Sequence, residues 1–436
     1  MSFLQGLLGP PDAEKMNKRK LWKLMVMLGL AVMGLLLLFF LLGRSAVGAT
    51  PEGAGIIPDV DSCVCSGVWV TETVDSGGNV GNHTSLALEP ISPYTPHISY
   101  HDVTSDSLKH AWLSGTTWLS ETVDSGGDDS SLALVPTYPY TPCILYYNGD
   151  SPNFWEWFLR YACRGSTTWI TMTLSVGMRA GQNGISLALE PTYPYAPHIS
   201  YYNPWGTINT LYHAYLSGTV WCSGTWVHEQ VEPSLSGVGW WSSLALEPTY
   251  PYTPHVSYYD ILNGDLKYAY KSNTTWLTET VDSEGDVGWY TSLALDSSGN
   301  PHISYYDRTN GVLKYAWKSG TTWLTETVDS TGLPSFVRGG TSLELDQADA
   351  PHISYYDATN TNKDLKYAHF DSTVWIIQTV DSEGDVGTWS SLALDQLGCP
   401  HISYADATNW PTDCDLKYAY IPPVCKIYLP IIMKNR

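Results

Sequence analysis

The sequence predicts an all-β fold, a seven-bladed β-propeller of four-stranded blades, and three observations predict it. First, the tetrapeptide Ser-Leu-Ala-Leu, or one variant of it, starts at Ser85, Ser131, Ser186, Ser243, Ser292, Ser342 and Ser391, at spacings of 46, 55, 57, 49, 50 and 49 residues. A period near 50 with several short β segments per unit is the mark of a propeller blade. Second, three further segments follow each copy. Third, the order of segments is circularly permuted: the chain opens on a fourth segment and ends on a first, second and third.

The elements follow in order. The first strand is the Ser-Leu-Ala-Leu segment. The second is a version of Pro-His-Ile-Ser-Tyr-Tyr-Asp, beginning at Pro96, Pro142, Pro197, Pro254, Pro301, Pro351 and Pro400. The third carries Leu-Lys-Tyr-Ala or a relative, at Leu108, Leu159, Leu211, Leu266, Leu313, Leu365 and Leu416. The fourth places a Trp ahead of a Thr-Val-Asp-like end, at Trp69, Trp118, Trp169, Trp226, Trp276, Trp323 and Trp375. These segments alternate β-branched or aromatic residues with smaller or polar ones, as half-buried strands do. Asn263-Gly264-Asp265 and Ser319-Gly320 mark tight hairpins between them. Every segment occurs seven times, so the strand Trp69–Asp75 is expected to complete the last blade beside Leu416 and latch the ring, which removes exposed sheet edges.

The amino-terminal end reads as an export signal. Residues 24–43 are uncharged and almost wholly apolar, with Lys15, Lys18, Arg19, Lys20 and Lys23 before them. That asymmetry places residues 1–23 in the cytoplasm and the rest outside. Two readings compete: a membrane anchor, since 20 residues span a bilayer, or a signal peptide cleaved near Val47-Gly48-Ala49. Residues 44–65 are then a linker, 66–420 the propeller and 421–436 a tail. The expected location is secreted or cell-surface.

Composition excludes several classes. The chain of 436 residues carries 22 Lys+Arg against 43 Asp+Glu. Residues 1–49 hold six of the basic and two of the acidic residues, leaving 16 and 41 and a formal charge of −25 on the exported part. Such acidity opposes nucleic-acid binding, which needs a cationic face. An aromatic content of 13% opposes disorder.

All eight cysteines lie in the exported part, where disulfides persist. Cys425 follows the third strand of the last blade, and Cys63 and Cys65 precede its fourth. A bond from Cys425 to one of them, assigned to Cys65, is expected to hold the latch. Cys143 and Cys163 sit on strands two and three of the second blade and form a second candidate pair. Cys63, Cys222, Cys399 and Cys414 stay unassigned.

The wording of the repeats (SLALDSSGNPHISYYD, GVLKYAWKSGTTWLTETVDS) resembles exported bacterial repeat β-propeller proteins, and at fold level is similar to the sialidase/Asp-box and fucose-lectin propellers. The resemblance covers about residues 66–420 and implies the fold; one propeller scaffold serves lectins, hydrolases and inert modules alike. It implies no sialidase chemistry here. The exported part has few arginines (Arg160, Arg164, Arg179, Arg308, Arg338 and Arg436), and Lys318-Ser319-Gly320-Thr321-Thr322-Trp323 shares just the end of an Asp-box.

Repeated residues read first as scaffold. The fourth-strand Trp is expected to pack blade on blade, and the second-strand His97, His198, His255, His302, His352 and His401 to form structural hydrogen bonds. Asp282, Asp286, Asp381 and Asp385, in Val-Asp-Ser-Glu-Gly-Asp corners, are turn formers that also offer oxygen ligands, so Ca²⁺ is the candidate cofactor. Departures from the repeat are the functional candidates. Trp155, Trp157, Trp205, Trp221, Trp240 and Trp241 are extra aromatics in blades two to four, and Trp289 and Trp389 are read as matching Trp241. Tyr138, Tyr140, Tyr193, Tyr195, Tyr250 and Tyr252 stand in Pro-Tyr loops between first and second strands, which are longer in blades one to four. Rings beside acidic or amide groups stack on sugars. The reading is therefore a binding module for a glycan or cell-surface protein, without catalysis. A glycan-acting hydrolase or lyase and a purely structural module are the alternatives.

Overall fold

The computed structural model describes residues 63–149, 157–178, 184–203, 210–232, 237–331, 339–359 and 363–425. Seven four-stranded antiparallel sheets, each in the order first-second-third-fourth, form a seven-bladed propeller. Blade one holds Val80–Leu88, Pro96–Asp102, Ser107–Ser114 and Thr117–Ser125. The seventh sheet combines Val386–Leu394, Pro400–Asp406 and Asp415–Tyr420 with Val70–Asp75, whose Glu72 lies opposite Tyr418. The described residues contain no helix long and apolar enough to cross a membrane; segment 24–43 lies outside them.

The repeated residues turn out to be inter-blade fasteners. The first strands are innermost, and each opening Ser hydroxyl accepts the backbone N–H of the first Leu in the next blade. The chain of bonds runs Ser85–Leu132, Ser131–Leu187, Ser186–Leu244, Ser243–Leu293, Ser292–Leu343, Ser342–Leu392 and Ser391–Leu86, each at 2.9–3.0 Å. An edge strand facing an axis has unpaired N–H groups, and this cycle supplies acceptors for seven of them.

Farther from the axis, every fourth-strand Trp meets an aromatic ring on the third strand of the preceding blade, edge-on, with centroids 5.1–5.6 Å apart (Trp69–Tyr367, Trp118–Tyr418, Trp169–His110, Trp226–Tyr161, Trp276–His213, Trp323–Tyr268 and Trp375–Tyr315). In five of the seven, all but Trp169 and Trp226, the indole N–H also donates to a fourth-strand side chain of that blade, as Trp323 does to Glu279 at 2.7 Å and Trp375 to Glu326 at 2.8 Å. Blade-on-blade packing is what the sequence predicts of these Trp residues. The second-strand histidines are structural too. His97 and His198 bond His110 and His213 at 3.0 and 3.1 Å, and His255, His302, His352 and His401 bond the Tyr in the same third-strand place.

A third fastener shows paired substitution. The Ser of each second strand meets a Ser or Thr of the next blade: Ser99–Ser130, Ser200–Ser242, Ser257–Thr291, Ser304–Thr341, Ser354–Ser390 and Ser403–Thr84. At the remaining interface both partners are apolar, Leu145 and Ile185, and both are buried in one core cluster. Losing one buried hydroxyl partner is costly, whereas exchanging both for apolar groups is nearly neutral. Leu145→Ser and Ile185→Ser are each expected to cost about 2–3 kcal/mol, and the double variant to recover at least about 1 kcal/mol of their sum. Urea unfolding of the four proteins checks this; strict additivity would contradict it.

Two cysteine expectations need correction. Cys65 bonds Cys399, at the first-to-second-strand turn of blade seven, and not Cys425. The reason is register: Cys63–Cys65 pairs with Pro423–Cys425 so that Cys65 faces Pro423 and Cys63 faces Cys425. Cys163 bonds Cys222 in the outer hairpin of blade three, across the blade interface, and not Cys143. Cys143 is opposite Cys163 in the ladder but remains a buried free thiol, pushed up to about 12 by burial.

Candidate functional site

The predicted site residues separate onto two faces. The Pro-Tyr loops share one face with the third-to-fourth hairpins. In blades two to four each loop holds a cis Tyr-Pro bond, followed by a Tyr with φ of 53–56°. The first ring of each loop is exposed: Tyr138, Tyr193 and Tyr250 are 83%, 64% and 85% exposed. The second ring props the first edge-on, at 6.0, 6.0 and 5.8 Å for Tyr138–Tyr140, Tyr193–Tyr195 and Tyr250–Tyr252. Half of the predicted arc is thus presented, and the other half is its support. Trp221 belongs to the support as well, packed against Tyr195 at 6.0 Å.

Beside this arc, between blades three and four, lies a cavity of about 480 Å³. Blade three supplies Glu190, from the end of its first strand Ile185–Leu189, with His198 from Pro197–Asn203 and His213 and Tyr215 from Thr210–Val220. Blade four supplies Glu247, Pro251, Tyr252, Tyr270, Lys271 and Asn273. Glu190 stands 3.4 Å from His198. Lys271 donates to both oxygens of Glu229 at 2.6 and 2.7 Å. The His213 hydrogen bond, together with the Lys271 ammonium, holds Glu229 down to about 2, while burial lowers His213 to about 4. A smaller cavity of about 150 Å³ repeats the arrangement between blades one and two, with His97, His110, Trp112, Glu121, Tyr140 and Arg164. Tyrosine and proline surfaces flanked by carboxylates, an ammonium and an amide can stack on a ring and bond its hydroxyls.

The opposite face carries the remaining Trp residues. Here the first strands bulge, and the residue two before each opening Ser turns left-handed in five blades: His83, Asp129, Trp241, Tyr290 and Trp389, with φ of 48–53°. Gly184 and Gly340 fill the place in blades three and six. Trp389 therefore matches Trp241, but Trp289 matches Trp240, one residue earlier. Trp241 and Trp289 are 6% and 2% exposed and stack at 4.7 Å, so they are walls rather than open platforms. Trp240 meets Trp241 edge-on at 5.7 Å. Trp155 and Trp205 lie outside the described residues, and Trp157 opens the third strand of blade two.

The predicted metal-ligand aspartates are engaged by the protein. Asp282 accepts from the Tyr305 hydroxyl at 2.6 Å and from Lys314, and Asp381 from Tyr404 at 2.6 Å with Lys417 at 3.5 Å. Asp286 accepts from Tyr259 at 2.6 Å, Trp289 at 2.8 Å and Arg308 at 3.0 Å, and Asp385 from Tyr356 at 2.8 Å and Lys363 at 2.9 Å. Among the described residues no three His, Cys, Asp or Glu side chains gather to hold an ion. A hollow of about 210 Å³ in blade seven is acidic, lined by Glu383, Asp406, Asp413 and Asp415.

Sequence reasoning missed Glu190, Glu247, Lys271 and Asn273, because their convergence crosses two blades. It also missed two carboxyls near the axis. Asp129 is raised to about 6, mainly by burial. Glu344 stands where six blades carry Ala, on an innermost strand, and is solvent-exposed although protein surrounds it. Desolvation by the surrounding protein raises this carboxyl to about 7. The Glu in Ser-Leu-Glu-Leu was a visible signal.

No family model matches the chain, and no curated protein matches it. Solved structures do. A polysaccharide lyase described as a PL25 ulvan lyase superposes with a TM-score of 0.54 at 9% identity, covering 79% of this chain and 94% of that one. AofleA from Arthrobotrys oligospora gives 0.46 at 13% identity, over 77% and 92%. A protein of unknown function from Dyadobacter fermentans gives 0.47 at 11%, over 83% and 100%. At 9% identity the likeness to the lyase shows a shared fold alone.

Proposed function

We propose that this propeller is an exported or cell-surface module that binds carbohydrate without catalysis. The observation that carries the reading is the cavity between blades three and four, where Tyr252 and Pro251 form a wall, Glu190, Glu247, Lys271 and Asn273 supply polar groups, and the outward Tyr193 and Tyr250 belong to the flanking loops. Three exposed tyrosines on adjacent blades suit an extended glycan better than a monosaccharide. Export is supported by the apolar segment 24–43 and by the bonds Cys65–Cys399 and Cys163–Cys222, which fit an oxidising compartment. Membrane attachment through that segment, and fastening of the ring by Val70–Asp75, belong to the same reading.

A glycan array probed with residues 50–436, with and without Ca²⁺, tests it. At least one glycan class is expected to bind, and Tyr193→Ala/Tyr250→Ala with Glu247→Gln to abolish the signal. No signal above background for the parent sinks the proposal; loss on removing Ca²⁺ adds the cation to it. A glycan-acting hydrolase or lyase is the second reading, favoured by the raised carboxyls of Asp129 and Glu344 near the axis. It requires new reducing or unsaturated ends from a bound glycan, which the first reading does not produce.

A further inference from the structure

The left-handed ring at the axial mouth has a property the scaffold does not require. Gly184, at φ 73°, shows that glycine satisfies the left-handed place, since glycine adopts positive φ without steric conflict. Five blades instead hold His83, Asp129, Trp241, Tyr290 and Trp389 there, in a conformation unfavourable for any residue with a side chain. Strain of this kind is kept where the side chain is used.

These side chains form two groups. The His83 imidazole lies 5.1 Å from the Trp389 ring, with its Nε2 3.2 Å from Asp128 and its Nδ1 3.7 Å from Asp129. Trp241 and Tyr290 stack at 4.6 Å. His83, Asp128, Asp129, Tyr290 and Trp389 are each part-exposed. The first group therefore presents indole and imidazole rings beside two carboxyl groups, and Glu344 lies on an inner strand. The second group already holds a cation on its flank: the Arg308 guanidinium sits 4.7 Å above Trp289, whose ring packs at a tilt on Trp241.

We propose that the axial mouth is a second binding site, distinct from the cavity of the other face, and that it takes a small organic ammonium ion. Aromatic faces attract a cation through their quadrupole, most strongly where water is partly excluded, and Asp128 and Asp129 supply the counter-charge. Alkyl groups on the nitrogen pack against Trp389. The site does not depend on the glycan reading.

The probe is choline, with its neutral isostere 3,3-dimethylbutan-1-ol as control, titrated against residues 50–436 and followed by calorimetry and tryptophan fluorescence. Choline is expected to bind with a Kd below about 10 mM and the isostere at least about tenfold more weakly. Asp129→Asn and Trp389→Gly are each expected to weaken choline by about tenfold or more. Both should fold, because Asn tolerates positive φ and Gly occupies this place in blades three and six; an unchanged melting curve verifies it. Glu247→Gln should leave choline binding intact. Equal binding of choline and the isostere, a weaker Kd than stated, or full binding by the folded Trp389→Gly variant overturns the proposal. Choline binding without any glycan signal would leave this site standing and the glycan reading fallen.

Discussion

A chain starting at Gly77, and so lacking Val70–Asp75, is expected to lose at least about 5 kcal/mol of stability or to fail to fold. Trp69 alone packs on Tyr367 and donates to Gln378, and removing a large packed aromatic typically costs about 3–5 kcal/mol. The same deletion strips Glu72 from the Trp118 indole and Asp75 from the Tyr100 hydroxyl, removing the acceptors of two polar groups of blade one, while Lys109 loses Asp75 but keeps Asp102 at 2.9 Å. It also exposes the outer edge of Asp415–Tyr420 to other chains. Thermal melting and light scattering of residues 50–436 and 77–436 make the comparison. Trp69→Ala and Cys65→Ser, measured separately, divide the loss between packing and the Cys65–Cys399 bond. A truncated chain as stable and monodisperse as the longer one would show that Val70–Asp75 does not fasten the ring.

Stability is expected to fall steeply once the pH drops below about 6.5, the unfolded histidine value. Burial lowers His97 to about 3 and His213 and His352 to about 4, and it also lowers His110, His255 and His302. A histidine whose folded value is depressed stays neutral in the fold while the unfolded chain takes up protons. Its stabilising share is therefore complete above pH 6.5 and is drawn down towards pH 3–4. Glu229, held near 2, adds a further loss below the ordinary Glu range. Asp129 and Glu344 act oppositely, because their burial penalises the charged form and is relieved as pH falls through about 6 and about 7. Asp265, Asp364 and Asp415 are raised as well, chiefly by desolvation, but these five carboxyls stand against eight lowered histidines, His228 and His369 included, so urea midpoints should decline from pH 7.5 to pH 4.5. Blade two shows how to flatten the slope. It carries Val135, Cys143 and Tyr161 where blade one has Glu89, His97 and His110. Glu89→Val/His97→Cys/His110→Tyr should lose part of the acid sensitivity at unchanged neutral stability. Parallel pH curves for the two proteins would contradict the histidine account.

Much of the architecture was legible because a repeat states each strand seven times. Ser-Leu-Ala-Leu marks a strand by alternation, and its recurrence marks the blade. The scaffold roles of the Trp and His series followed from repetition itself. What was not legible is lateral. Cys65 and Cys425 looked adjacent along the chain, but a two-residue register offset sets Pro423 opposite Cys65. Trp289 and Trp389 looked equivalent because both precede a first strand; the bulge separates them by one residue, which sends one indole into the wall and the other towards the axis. Glu190 and Lys271 are 81 residues apart, and their meeting depends on how two sheets lean together.

The exchange of a hydroxyl couple for Leu145 and Ile185 bears on how such a ring changes over generations. Each of the other six couples joins interchangeable Ser or Thr groups, so a duplicated or deleted unit meets a compatible stranger on either flank. Units two and three have a private match, and separating them strands an aliphatic group against a hydroxyl. Recombination within this gene should therefore be free at most junctions and barred at one, so those two repeats are inherited as a single block.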